Sequence, residues 1–324
     1  IEGIGLDGIS NSPIFIDRNL RVLRPCILWL DQRGVEYTSK IHNTLERAGI
    51  TLALPITPLL TITKLIWVME KEPDIWRDTY CILQPKDFIR MWLTDNVATD
   101  PSDASVTMLF DGSKLRWADY IESLFGIKLE KLPEIIPSYK IVGYVTERAA
   151  KVTGLREGIP VVTGCADGVA DILAAGLIEP FDILIRLGTA GTVSTVLNEY
   201  VPSGERYYLF AHVSLGKWIA QRMFPFGIPY KWLFNTFFKN EVEKAKVMGC
   251  DPYRYIESML DIDNDESIVF IPSIDITKDP SYFSGAFIGI KDVHTSSHLA
   301  IALLQGLAFA ARESLDIILS LIHI

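Results

Sequence analysis

The segment Ile159-Pro-Val-Val-Thr-Gly-Cys-Ala-Asp167 leads straight into Gly168-Val-Ala-Asp-Ile-Leu-Ala-Ala-Gly176. The first part is a short apolar run bounded by proline and glycine, the pattern of a buried strand. The second is a compact helix that glycine stops. A buried strand feeding a helix through a glycine constrains the chain more than any other feature. It sets Asp167 at a strand-to-helix junction. Further on, a strand over Ile183–Leu187 ends in the turn Gly188-Thr-Ala-Gly191, and another strand follows over Thr192–Leu197.

The rest of the chain alternates in the same way. Strands are expected at 1–6, 14–16, 22–23, 27–29, 81–83 and 141–145. Helices are expected at 34–50, 61–72, 74–80, 88–94, 117–125, 149–153 and 299–321. Asp100-Pro-Ser-Asp103 is a loop with helix-start character, and Leu132–Pro137 is a rigid connector. The pattern is α/β. Glu179-Pro180 is a breaker pair and sets the expected boundary between domains 1–179 and 180–324.

With 324 residues, 49% hydrophobic and 22% charged, the chain can bury a large core and is not disordered in composition. A net charge of −9 argues against a nucleic-acid groove or an anionic membrane surface as partner. It does not exclude ATP, because local amides and one metal outweigh a distant acidic surface. Cys26, Cys81, Cys165 and Cys250 form no CxxC pair and read as buried free thiols in a reducing cytoplasm. His294 and His298 stand at i, i+4, but Thr295-Ser-Ser297 between them reads as a helix cap and no third ligand is near. No signal peptide and no membrane-spanning run are visible. The chain starts inside an expected strand and stops inside an expected helix, so both ends read as cut. Ser320–Ile324 reads as non-native sequence, and His323 is given no role.

Three places can carry chemistry. Asp167 is an N-cap on position alone, but Gly164, Ala166 and Gly168 around it are small enough to let a ligand reach the carboxylate. Gly188-Thr189-Ala190-Gly191 is either a hairpin turn or a nest of amides for phosphate, with the Thr189 hydroxyl added. It is not a Walker loop, and the chain has no GxGxxG, which removes the main support for a dehydrogenase. Trp29-Leu-Asp31-Gln-Arg33 places an indole, a carboxylate and a guanidinium at an expected strand end, as a ligand site or as a salt bridge beside a core tryptophan.

The chain resembles the FGGY carbohydrate kinases, within the actin-like ATPase superfamily, in collinear motifs along nearly all of its length. Val22-Leu-Arg-Pro-Cys-Ile-Leu-Trp-Leu-Asp-Gln-Arg33 resembles the family's strand ending in Trp-x-Asp-x-Arg. Thr61–Glu70, with Lys64 and Trp67, is similar to the first family signature, from which Lys71 departs. Leu83-Gln-Pro-Lys-Asp-Phe88, Thr99-Asp-Pro-Ser-Asp-Ala-Ser105 and Gly154–Gly164 are also typical. Gly285–Ile290 with His298–Gln305 approximates the second signature, with Leu303 departing.

The resemblance implies two actin-like ATPase (ribonuclease H-like) domains flanking a cleft, both incomplete. An Asp-x-Gly-Thr hairpin would precede Ile1 and a Gly-Gly-Gly-Ala segment would follow the chain. It implies ATP-dependent phosphorylation, with Mg²⁺, of a sugar or polyol hydroxyl, a ketopentose such as xylulose being the expected acceptor. Asp167 falls on the catalytic base. Gly188, Thr189, Ala190, Gly191 and Gly227 fall on the ATP site. Ser10, Asn11, Trp29, Asp31, Arg33 and Asp103 fall on the substrate side, with Ile9 in place of the usual glutamine before Ser10. The chain alone is expected to be inactive, and a homodimer is compatible with the resemblance. The alternative is a non-catalytic sugar- or nucleotide-binding protein on the same fold.

Overall fold

The computed structural model describes residues 1–202, 206–260, 268–272 and 285–322. His323 and Ile324, with part of the Gly285 approach at 281–284, lie outside the described residues. The chain forms two compact units, Ile1–Asp182 with Thr195–Ala220, and Ile183–Ser194 with Gln221–Ile324. The chain leaves the first unit three residues after the expected Glu179 boundary and returns to it once, over 195–220.

The first unit is built from short buried ladders braced by helices. Ile14–Ile16 pairs antiparallel with Cys81–Leu83, Ile16 facing Cys81, and all six residues are buried. Pro160–Val162 pairs antiparallel with Ile141–Tyr144. Cys165–Ala166 pairs in parallel with Asp7–Gly8, and Ile4 bridges Val161 in the same sense. The expected first strand therefore exists as a bridge and a two-residue ladder. Helix Pro85–Thr94 begins with proline at its first position and a capping box between Gln84 and Asp87. Helix Thr61–Lys71 runs through the core with Ile62, Leu65 and Val68 fully buried against Phe15, Ile41, Leu45 and Ile121. Tyr208–Ala211 lies next to Trp218–Pro225 and is tied to the unit by Leu209 N–H to the Ala53 carbonyl at 2.8 Å.

Several expected elements differ. Residues 27–29 form no strand, and Val22 makes only an isolated bridge to Ile16. Ile27 is buried, but Leu28, Trp29 and Leu30 are exposed on a turn, so the apolar run has no partner strand to pair with. The helix expected from 117 starts at Tyr120, because Arg116–Trp117 pairs with Phe110–Asp111. The connector at 132–137 holds the strand Glu134–Ile135, parallel to Ala98–Thr99.

Gly164 links Pro160–Val162 to Cys165–Ala166 with φ +82, and a Cβ there would stand 2.1 Å from the Leu6 carbonyl oxygen. Only glycine meets both conditions. Gly164→Ala is expected to cost at least about 1–3 kcal/mol from backbone strain alone. Urea unfolding of the chain checks this, and an unchanged midpoint would contradict it.

In the second unit, the strand Ile183–Leu187 is followed by the 190–194 part of the strand Ala190–Leu197 and the 221–225 part of Trp218–Pro225. Helices Gly227–Phe237, Lys239–Met248 and Pro252–Glu257 follow. Val269–Ile271 pairs antiparallel with Ala286–Ile288. The helix Ser296–Ile322 closes the core, placing Ala300, Leu303 and Leu307 against Leu233, Phe234, Phe238 and Phe270.

Candidate active site

Helix Asp167–Ala174 starts directly after Ala166, whose φ of −61 and ψ of 142 make it the cap residue. Asp167 is thus the first helical residue and not the N-cap, as its position alone suggested. Its carboxylate is exposed, and Oδ1 accepts the Gly168 N–H at 2.7 Å. The first turn of a helix favours a negative charge there. The backbone just before it is anchored. Ala166 N–H donates to Ser102 Oγ at 2.9 Å, and Ser102 Oγ donates to Asp100 Oδ2 at 2.6 Å. Ser138 Oγ donates to the same Asp100 oxygen at 2.8 Å.

Asp100 belongs to a fully buried cluster of charge. Lys86 Nζ lies 2.6 Å from Asp87 Oδ1, 2.9 Å from Asp100 Oδ1 and 2.9 Å from Asp103 Oδ2. The last contact is an ion pair off the hydrogen-bond angle. Arg90 Nη1 donates to Asp87 Oδ1 at 2.9 Å and to the Thr163 carbonyl at 2.7 Å, and Nη2 donates to the Ala98 carbonyl. Two cations face three carboxylates, an excess of one negative charge. The excess is relieved at Asp103. Burial pushes its carboxyl up to about 7, against the pull of Lys86 and with the push of Asp87 and Asp100. Burial also opposes the charge on Lys86, but Asp103, Asp87 and Asp100 together raise it well above its ordinary value. No local pattern shows that Lys86, Asp87, Asp100, Ser102 and Ser138 meet.

On the expected substrate side, the structure joins Ser10 to Asp103, the Ser10 hydroxyl donating to Oδ1 at 2.5 Å. Asp103 also lines a small cavity with Thr61, Gln84, Asp87 and Thr107. Asn11 adopts φ +54, a conformation asparagine tolerates, and its side-chain oxygen accepts the Thr61 N–H at 2.9 Å and the Thr61 hydroxyl at 3.0 Å. Asp31 and Arg33 form a two-point pair at 2.9 and 2.8 Å. The Arg33 hydrogen bond holds the Asp31 carboxyl below its usual range. Arg33 lies 4.5 Å over the Trp67 ring, so Trp67, and not Trp29, is the tryptophan of this pair. Trp29 is 43% exposed, which removes the core-tryptophan reading.

The phosphate-turn candidates form one structure in the second unit. Gly227 N–H donates to the Gly188 carbonyl at 3.1 Å, and Ile228 N–H to the Thr189 carbonyl at 3.2 Å. A Cβ on Gly227 would stand 2.4 Å from the Gly188 oxygen. The turn is thereby seated on the N-terminus of helix Gly227–Phe237. Gly188 and Thr189 are exposed, Ala190 is half-buried and Gly191 is buried beneath Phe224. The Gly188 N–H donates to the Ala190 carbonyl at 3.2 Å, so with the Gly227 and Ile228 N–H groups also on carbonyls, the exposed Thr189 is the part of the turn suited to a phosphate oxygen.

The remaining polar candidates are occupied otherwise. His294 Nδ1 accepts the Lys291 N–H and His298 Nδ1 the Thr295 N–H, each at 2.9 Å, so both rings serve the helix start. Among the described residues no group of three His, Cys, Asp or Glu side chains could hold a metal ion, and no helix is long and apolar enough to cross a membrane. The four cysteines are free thiols, but only Cys81 is buried as expected; Cys26 and Cys165 are half-buried and Cys250 is exposed.

Residues 1–174 match the N-terminal domain of the FGGY family of carbohydrate kinases, and the chain belongs to that family. Its fold is the α/β actin-like ATPase fold of these sugar kinases. The chain is 31% identical to the xylulose kinase of Lactococcus lactis over 331 residues, 98% of this chain and 63% of that protein. The structure of a xylulose kinase from Rhodospirillum rubrum matches with a TM-score of 0.85 at 25% identity, over 98% of this chain and 64% of the other. The structure of a xyloylose kinase from Brucella ovis matches with a TM-score of 0.84 at 27% identity, over 99% of this chain and 65% of the other. The chain thus spans less than two thirds of each of these three relatives.

Proposed function

We propose that the complete protein transfers the γ-phosphoryl group of ATP to a hydroxyl of a sugar or polyol, with a ketopentose such as xylulose as acceptor, in the cytoplasm. The observation that carries this reading is the placement of Asp167. An exposed carboxylate is fixed at its backbone to the same buried cluster that holds Asp103 and, through it, Ser10. Base and acceptor groups so linked keep one geometry, which is what phosphoryl transfer demands of a protein.

In the proposed reaction the acceptor hydroxyl gives its proton to Asp167 as its oxygen bonds to the γ-phosphorus. The bond from that phosphorus to the β–γ bridging oxygen breaks, and the electron pair leaves with ADP. Ser10, Asn11 and the Asp31–Arg33 pair orient the other hydroxyls, the fully buried Asp103 acting only from beneath through Ser10, with Trp29 offering an apolar face. Thr189 holds phosphate oxygens, and Gly188, Ala190, Gly191 and Gly227 shape the turn that presents it. The open side of this turn fits a nucleotide's phosphates. Mg²⁺ bound with the nucleotide beside the exposed Thr189 would supply charge neutralisation on the phosphates.

The deciding experiment is a panel of sugars and polyols with the complete protein, read as ADP release. Release dependent on a ketopentose supports the proposal. Sugar binding without ADP release favours the non-catalytic reading. A second measurement tests the turn. Gly227→Ala must push the Gly188 carbonyl aside, so kcat/KM for ATP is expected to fall on the order of 10²-fold with sugar binding kept. An unchanged value would remove the turn from the nucleotide site.

A further inference from the structure

We infer that Lys64 is a positioning residue that fixes the two acceptor-side segments around Asn11 and Trp29 from beneath through their backbone carbonyls. The Lys64 side chain is fully buried in helix Thr61–Lys71. Its ammonium donates to the carbonyls of Asn11 at 2.5 Å, Leu59 at 2.9 Å and Trp29 at 3.1 Å. Three N–H donors thus meet three acceptors on three separate stretches of chain, the full capacity of an ammonium.

A buried ammonium is costly without such partners. The same three bonds could be plain packing, but their addresses argue otherwise. Two of the three carbonyls belong to residues assigned to the acceptor, and the third lies two residues before Thr61, which itself binds the Asn11 side chain. Trp29 sits on an exposed turn outside any strand, so no ladder fixes it. The Lys64 bond is what ties its backbone to the core helix. The inference rests on the kinase reading for its functional meaning and on geometry alone for the clamp.

The clamp has a pH dependence. Burial lowers the Lys64 ammonium to about 8, opposed by Asp31 and Cys26 and aided by Arg33. Above that pH a neutral amine keeps two donors and turns a lone pair toward one carbonyl, so the loops loosen.

The test uses Lys64→Met and Lys64→Arg in the complete protein. Lys64→Met is expected to raise the sugar KM about tenfold or more while leaving the ATP KM nearly unchanged. Amide exchange at 10–12 and 28–31 should quicken, with exchange at 147–153 unaltered. Lys64→Arg, which keeps the charge, should recover part of the sugar KM. In the unsubstituted protein the sugar KM should climb above about pH 8, and Lys64→Met should lack that climb. Unchanged sugar KM with unchanged exchange overturns the inference, as does a loss shared equally by sugar and ATP. If no sugar is phosphorylated at all, the kinase reading fails, and exchange at 10–12 and 28–31 still decides the clamp. If Lys64→Met does not fold, Lys64→Gln is read in its place by the same sugar KM and amide exchange, and no change in either overturns the inference.

Discussion

Asp167→Asn in the complete protein is expected to lower kcat for sugar phosphorylation by about 10²–10⁴-fold, the usual contribution of a positioned general base. An amide has the shape of the carboxylate and cannot take the proton. The structure explains why the loss should be chemical and not structural. Asp167 is exposed, so the change buries no unpaired group. Its hydrogen bond from the Gly168 N–H survives on the amide oxygen. Loss of a negative charge in the first helical turn costs only about 0.3–1 kcal/mol. The anchor that sets the position, Ala166 N–H on Ser102, is backbone and is untouched. Steady-state ADP release and thermal unfolding, measured side by side, separate the two effects. Normal turnover by the variant would sink the assignment of the base, and a collapsed melting temperature would show a structural role.

The elements that could be read from sequence are those with local punctuation. Pro85 and Gln84 open the helix at 85–94, Gly154 ends the helix at 147–153 with φ +75, and Gly164 ends the strand at 160–162. Ile27-Leu28-Trp29 has the same apolar look as a strand, but strand identity depends on a partner, and none lies in the sequence. The site shows the same division. Asp87 and Asp100 looked like ordinary helix starters because they are: Asp87 completes the capping box of one helix and Asp100 caps the next. Each carboxylate has a second oxygen or lone pair to offer, and in the fold it meets Lys86. A local cap pattern cannot reveal that second partner, because the meeting is made by the strand pairing between. Gly227 had no local signal either. Its requirement comes from a turn almost forty residues earlier in the chain, and only the family resemblance pointed to it.

Lys86→Met should destabilise the first unit by about 3–5 kcal/mol, the usual result of stripping a buried charge of its partner. The variant leaves three buried carboxylates with only the Arg90 guanidinium, which reaches Asp87 alone among them. The thermal midpoint should fall on the order of 10 °C. Asp103→Asn makes the opposite change, since two cations then face two carboxylates. Its amide can accept near Lys86 and donate toward Ser10, so the fold should tolerate it. The pH dependence separates this from simple tolerance. The folded Asp103 carboxyl sits at about 7 against an ordinary value of 3.8, so between those values the folded protein holds a proton that the unfolded chain has released. Stability then falls as pH rises through that window. Below about pH 4 both states hold the proton, and above pH 7 both have released it. Urea midpoints at pH 5 and pH 8 should therefore drop for the unsubstituted chain, and Asp103→Asn should remove the part of that drop due to this group. A full drop retained in the variant would show that another group carries the excess charge. Full stability in Lys86→Met would show that the carboxylates are neutralised without the lysine. The cluster that fixes Asp167 would then be held by protons and hydroxyls, and the sugar side would have to be oriented by something other than an ion network.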